Sequence, residues 1–364
     1  MRLPAAWERF WFSPEPTSTL AVLRIVYGVL LLAWTTTLSL DAATFFSRSG
    51  ILPERPPVPW TWTVLDLAPS DAAVAILLAL LVWAAICLVV GFHTRLAAAV
   101  AFVAVVSLHR RNPFVFQAGD NLLRSFAFYF MFAPAGAALS VDRWRQARAR
   151  FWEFPRRAVW ALRLVQVQLS ILYLFSVWSK LGGRTWHEGT ATSWAMRVDE
   201  LVRLRLPPSI TESLLVSNVV TYGTLAVELA LAVLIWNRRA RPWVLAAGVV
   251  LHLSIEVTMR VGFFSLVVLL YYVAFIPPEL MTDRLLGLRA RLRRSRLLPL
   301  RLLGSAGPEA VVQPQLPWPD PLPEPTPAAT APSRDGTRST DATHASKAQG
   351  DRKLQRRAWN SVPR

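Results

Sequence analysis

Residues 174–189 read LFSVWSKLGGRTWHEG and close an apolar run that begins near residue 157. A helix needs about 20 mostly apolar residues to cross the hydrocarbon layer, and this run meets that length. Its end carries an ammonium group, Lys180, then Gly182-Gly183, then Trp186-His187-Glu188. Glycine ends helices readily, and tryptophan at a span end sits at headgroup depth. The stretch reads as a membrane helix arriving at the interface.

The same pattern recurs in both directions. Apolar runs lie at 18–40, 71–92, 95–111, 119–139, 217–236, 242–261 and 263–279, which with 157–181 make eight expected spans. The count ranges from seven to nine, because the third run is short and only Val261-Gly262 divides the last two. The expected fold is an all-α, polytopic membrane bundle over residues 1–280. Composition agrees: 53% of the 364 residues are hydrophobic and 17% charged, outside the balance of a soluble core. Trp7, Trp11, Trp60, Trp62, Trp178, Trp186, Trp236 and Trp243 stand near run ends, as interfacial anchors do.

The formal net charge is +17. The arginines crowd 143–157 and the segment after Pro278, so anionic lipid headgroups are the expected counterions and nucleic acid is not expected. With eight spans, the basic loops at 143–157 and 237–241 and the C-terminal region share one face, which places both termini in the cytoplasm by the positive-inside rule. Beyond Pro278, Leu285, Leu288 and Leu292 recur at helical spacing among six arginines. That pattern fits a basic amphipathic helix over 281–303 on the membrane surface or, equally, a helix docked on the bundle. Residues 304–364 are too polar and proline-rich to offset chain entropy, and disorder is expected there. Cys87 is the only cysteine, which excludes an intrachain disulfide. The N-terminus lacks a cleavable signal pattern, so the first helix is expected to be retained.

Ionisable groups within the runs are costly in lipid unless they pair, face a cavity or reach the interface. Arg24, Arg124, Glu228, His252, Glu256, Arg163 and Lys180 all raise that question. Asp120 and Arg124 are spaced to pair, and His252, Glu256 and Arg260 fall on one helical face at four-residue steps. Any one of these groups is accounted for by packing alone. Together, His109-Arg110-Arg111, Asp120, Lys180, Trp186-His187-Glu188 and Arg260 lie at one end of the expected bundle, which points to an outward pocket. Lysine, unlike arginine, can act as a base or nucleophile when desolvated, although a lysine at a helix end also commonly snorkels to headgroups. His187-Glu188 is a weak metal signal without HExxH spacing, and no metal is expected. No nucleotide-binding or serine-hydrolase motif occurs.

RNPFVFQAGDNLLR (111–124), SVDRW (140–144), SILYLFSVWSKLGGRTWHEGTA, VELALAVLIWNRRAR and LHLSIEVTMRVGFFS follow one another in an order that resembles the membrane domain of vitamin K-dependent gamma-carboxylases. The chain is still more similar to their bacterial relatives, the HTTM (horizontally transferred transmembrane) domain proteins, over about residues 13–280. The resemblance implies that Lys180 is the base that deprotonates a reduced, vitamin K-like quinone. It gives His252 a supporting hydrogen-bonding role and places Asp120 where the carboxylases have a histidine, a departure that bears on carboxylation itself. Arg111, Trp186 and Glu256 are the residues expected to bind the cofactor. The animal enzymes' long luminal domain has no counterpart here, so a glutamate-rich protein substrate has no evident dock.

The resulting expectation is a multi-pass inner-membrane protein that handles a quinone or another lipophilic small molecule enzymatically. A non-catalytic lipid or quinone binder or transporter, or a membrane scaffold, stands as the alternative.

Overall fold

Helices occupy all eight expected stretches in the computed structural model, which describes residues 4–54, 62–146 and 148–294. They are α1 (Ser18–Leu40), α2 (Asp71–Val90), α3 (Thr94–Arg111), α4 (Ala118–Phe132), α5 (Trp160–Leu181), α6 (Leu214–Val233), α7 (Arg241–Thr258) and α8 (Phe264–Val273). A further helix, α9 (Pro278–Arg294), follows them. Local chemistry sets several ends. Ser70 and Ser213 cap α2 and α6 through side-chain oxygens that accept the Ala73 and Val216 N–H groups, and Gly91, at φ 72°, ends α2. In α1, Thr35, Thr36, Thr37 and Ser39 donate to carbonyls four residues back, so no hydroxyl on that turn is left unbonded in lipid.

Two of the expected runs are helical over shorter stretches. The run 119–139 stops being helical at Phe132, just before Ala133-Pro134, because the residue preceding proline is pushed out of the helical region. The run 263–279 is helical only over Phe264–Val273, roughly 15 Å. It breaks ahead of Pro277-Pro278 and turns by 97° into α9. Four helical segments are long and apolar enough to cross a membrane by themselves: Ser18–Leu40, Asp71–Val90, Trp160–Leu181 and Leu214–Trp236. The bent pair α8–α9 makes a fifth if counted as one span. Helix α3 carries Arg95, Arg110 and Arg111, and α7 carries Arg241, His252 and Glu256. Much of that polarity turns inward, since His109, Arg111 and His252 are buried.

Chain neighbours pack in sequence, α1 on α2, α2 on α3, α3 on α4, then α5 on α6 and α6 on α7. Helix α8 bridges the two groups by touching α1, α4, α5 and α7. Gly28 allows the closest approach: a Cβ there would stand 2.7 Å from the Val89 nitrogen, so α1 and α2 cross nearly backbone to backbone.

The segments preceding α1 and α5 are tied together. Strand β1 (Pro14–Pro16) pairs antiparallel with β2 (Arg156–Ala158), and Arg163 reaches back to Glu15 at 2.9 Å. Ser18 Oγ donates to the Pro278 carbonyl, and Arg241 donates to the Phe275 carbonyl, so the start of α9 meets the same end of the bundle. The N-terminal segment, the basic loop at 143–157, the turn before α7 and the root of α9 therefore gather on one side. The expected reach of the basic helix to residue 303 and the tail 304–364 lie outside the described residues.

Candidate functional site

Helix α5 presents Tyr173, Ser176 and Lys180 at spacings of three and four residues, on one face. Lys180 Nζ donates to Ser176 Oγ at 2.8 Å and forms an ion pair with Glu228 Oε1 of α6. Ser176 Oγ donates to Glu228 Oε2 at 3.1 Å, so one hydroxyl bridges both charges. Glu228 is 7% exposed, and a carboxylate so enclosed in a bundle requires a cation. The lysine supplies it, turning inward instead of snorkelling to headgroups. The Trp186 ring covers the amine with its centroid 5.2 Å from Nζ, a cation–π arrangement. Gly183 makes this possible, because a Cβ there would press on Trp186 Cδ1 at 3.1 Å.

Two turns deeper, Tyr173 joins α5 to α7 and α8. Its hydroxyl meets His252 Nε2 at 2.8 Å and the Tyr272 hydroxyl. All three side chains are buried. Gly248, one turn before His252, leaves room for the Tyr272 hydroxyl: a Cβ would stand 2.5 Å from it. His252 Nδ1 is buried with no hydrogen-bond partner among the described residues, and the ring lies 5.8 Å from that of Phe264. Tyr173 and Lys180 are seven residues apart, about 10 Å along the helix. The hydroxyl–imidazole chain and the ion pair thus share one helix face without touching.

Asp120 lies across Phe264 from this group. Gly119 packs so closely on α8 that a Cβ would stand 2.8 Å from Phe264 Cα. The expected Asp120–Arg124 pair does not form. The Asp120 carboxylate caps its own helix by accepting the Gln117 N–H at 2.6 Å, and it accepts the Trp34 indole N–H at 2.7 Å. Those two donors use both oxygens in a buried place, which leaves Arg124 outside the arrangement. Glu256 pairs with Arg203 at 3.0 Å, and its other oxygen is buried without a hydrogen-bond partner among the described residues. Arg203 is brought there by the 190–213 connection, whose Val202 bridges to Met259. Helix α7 ends at Thr258, so Arg260 does not continue the His252–Glu256 face; its N–H donates to the Leu201 carbonyl.

Arg111 stands apart. Its guanidinium donates to the carbonyls of Ser47, Leu52 and Pro53, fastening the chain after α1 to the end of α3, and it lines a cavity of about 480 Å³. Among the described residues, that cavity is lined by neither Lys180 nor His252. The six residues expected in one pocket resolve into Lys180 with Trp186, His252 below them, Glu256 at the mouth of α7, and Asp120 and Arg111 on the α3–α4 side. His187 Nε2 contacts the Leu181 carbonyl and Glu188 pairs with Arg184, so both serve the turn after α5. No cluster of three or more metal-ligating groups occurs among the described residues.

Glu228, Ser176, Tyr173 and Tyr272 were not expected in the site. Glu228 was visible as an acid inside an apolar run, and its need for a cation was the signal that could have paired it with Lys180.

The chain matches the family model for the HTTM domain over residues 12–279, which takes in α1 to α8 and all the groups above. It belongs to the HTTM domain family. The HTTM match and the long apolar helices make this a membrane protein. No curated protein and no solved structure matches the chain, so the HTTM assignment rests on the domain as a whole.

Proposed function

We propose that this HTTM-domain protein is a multi-pass inner-membrane enzyme related to the gamma-carboxylase membrane domain, acting on a reduced quinone or a similar lipid-borne hydroxyl compound. The observation that carries the reading is the enclosed Lys180–Glu228 pair beneath Trp186. A lone desolvated amine is replaced by an amine in contact with a carboxylate, so proton exchange belongs to the pair. A hydroxyl proton taken up there leaves Lys180 as ammonium and Glu228 as carboxylic acid, and one net positive charge faces the developing oxyanion. Trp186 offers an aromatic face to a planar ring. His252 and Tyr173 fix the neighbouring helices around the pair.

The test is epoxide formation from a reduced naphthoquinone and oxygen by the detergent-purified protein. Wild type is expected to form epoxide, and Lys180→Ala and Glu228→Gln to lose it. Absence of epoxide in wild type, or epoxide undiminished in Lys180→Ala, overturns the catalytic reading. The charge-neutral pair also favours a second reading, a non-catalytic quinone or lipid binder or transporter. Reconstituted flux that needs Glu228 and survives loss of Lys180 would establish it.

A further inference from the structure

We propose that the ends of α1, α2 and α3 nearest Arg111 form a binding site for a single phospholipid with a zwitterionic, primary-amine headgroup, of the phosphatidylethanolamine type. Two hollows adjoin there. The cavity of about 480 Å³ is lined by Arg48, Glu54, Asp71 and Arg111 among others, and a groove of about 500 Å³ is lined by Ala75, Leu78, Ala79 and Val82. Asp71 and Val74 line both, so a polar chamber opens into an apolar furrow.

The furrow follows one stripe of α2, residues 71, 74, 75, 78, 79 and 82, at helical spacing. It extends about 16 Å, half the hydrocarbon thickness and so the depth of one leaflet. Small side chains at Ala75 and Ala79 hollow it out. Beside it Ile76, Leu80 and Trp83 are exposed on the same helix, so the furrow faces the acyl region.

The chamber selects a headgroup of mixed charge. Arg111 is 8% exposed, spends Nη2 on three carbonyls, and has an enclosed Nη1 with no hydrogen-bond partner among the described residues. With Arg48 it supplies positive charge for a phosphate. Asp71, whose Oδ1 accepts the Arg48 backbone N–H at 3.2 Å, and Glu54 supply carboxylates for an ammonium. A purely anionic headgroup would meet those carboxylates, and a choline has no N–H to give them.

Native mass spectrometry of the full chain in mild detergent, with equal phosphatidylethanolamine, phosphatidylglycerol and phosphatidylcholine added, tests this. Phosphatidylethanolamine is expected to be retained selectively. Arg48→Ala should weaken retention about tenfold, the size of one lost charge-assisted contact. Ala79→Trp, which fills the furrow without touching the chamber, should do the same, and Ala75→Leu reads the same furrow if the tryptophan variant does not fold. Asp71→Asn should abolish the preference over phosphatidylcholine. Equal retention of all three lipids, preference for phosphatidylglycerol, or retention unchanged in folded Arg48→Ala and furrow variants would each overturn the proposal.

Discussion

Lys180 on α5 and Glu228 on α6 neutralise one another inside the helix bundle, and Ser176 touches both. Removing one partner of such a pair leaves an uncompensated charge, whereas removing both need not. Glu228→Leu or Lys180→Met alone should cost about 3–4 kcal/mol, the lower part of the buried-pair range because Lys180 keeps some exposure. The double variant should cost less than either single one. Thermal unfolding in detergent checks this, and equal, additive losses would show that the two groups are not coupled.

The Tyr272 hydroxyl occupies the space that Gly248 leaves open. Gly248→Val should therefore push Tyr272 off Tyr173 and His252 at a cost of about 1–3 kcal/mol, in the manner of an overpacked core. Tyr272→Phe removes the obstructing oxygen, so Gly248→Ala should be better tolerated in that background. A melting-temperature loss from Gly248→Ala as large in the Tyr272→Phe background as in the wild type would contradict the contact.

Trp34 donates its indole N–H to Asp120. Trp34→Phe leaves the carboxylate with the Gln117 N–H alone and should destabilise by about 1.5–3 kcal/mol, as for a lost bond to a buried charge. In an Asp120→Asn background the same change should cost markedly less. Equal costs in both backgrounds, measured by chemical or thermal unfolding, would place the effect in ring packing instead.

Gly91 and Gly262 both have positive φ, 72° and 60°, but their surroundings differ. An alanine Cβ at Gly91 would collide with the guanidinium of fully buried Arg24 and with Ser140, whereas nothing lies within 4 Å at Gly262. Gly262→Ala should cost only the backbone strain, about 1–2 kcal/mol. Gly91→Ala should cost clearly more and lower the yield of folded protein in size-exclusion profiles. Similar losses at the two sites would count against the close approach of Arg24.

The helices were legible in the sequence because each needs only an apolar run of sufficient length, and all eight runs are helical. The family, too, could be read from the ordered motifs around Lys180 and His252. What could not be read is which polar groups meet. Asp120 and Arg124 have the spacing of a pair, yet Trp34, far away in sequence, supplies a donor that fits the carboxylate better. Lys180 and Glu228 are on different helices, and only the packing of α5 on α6 brings them together. Counting fours puts Arg260 on the α7 face, but the chain turns extended at Met259 to bridge with Val202. The shortness of α8 follows from Pro277-Pro278, a local signal that hydropathy averaging conceals.

The pairing of Pro14–Pro16 with Arg156–Ala158, and the grip of Ser18 on the Pro278 carbonyl, bear on biosynthesis. A ribosome delivers the first helix long before either partner exists, so its entry end waits through the synthesis of α2 to α4 for β2 and of α2 to α8 for Pro278. The clasp can shut only when the last of them emerges. A nascent chain halted before that point would hold every apolar segment but not the latch, which makes the 278–282 turn the place where completion of the fold is registered.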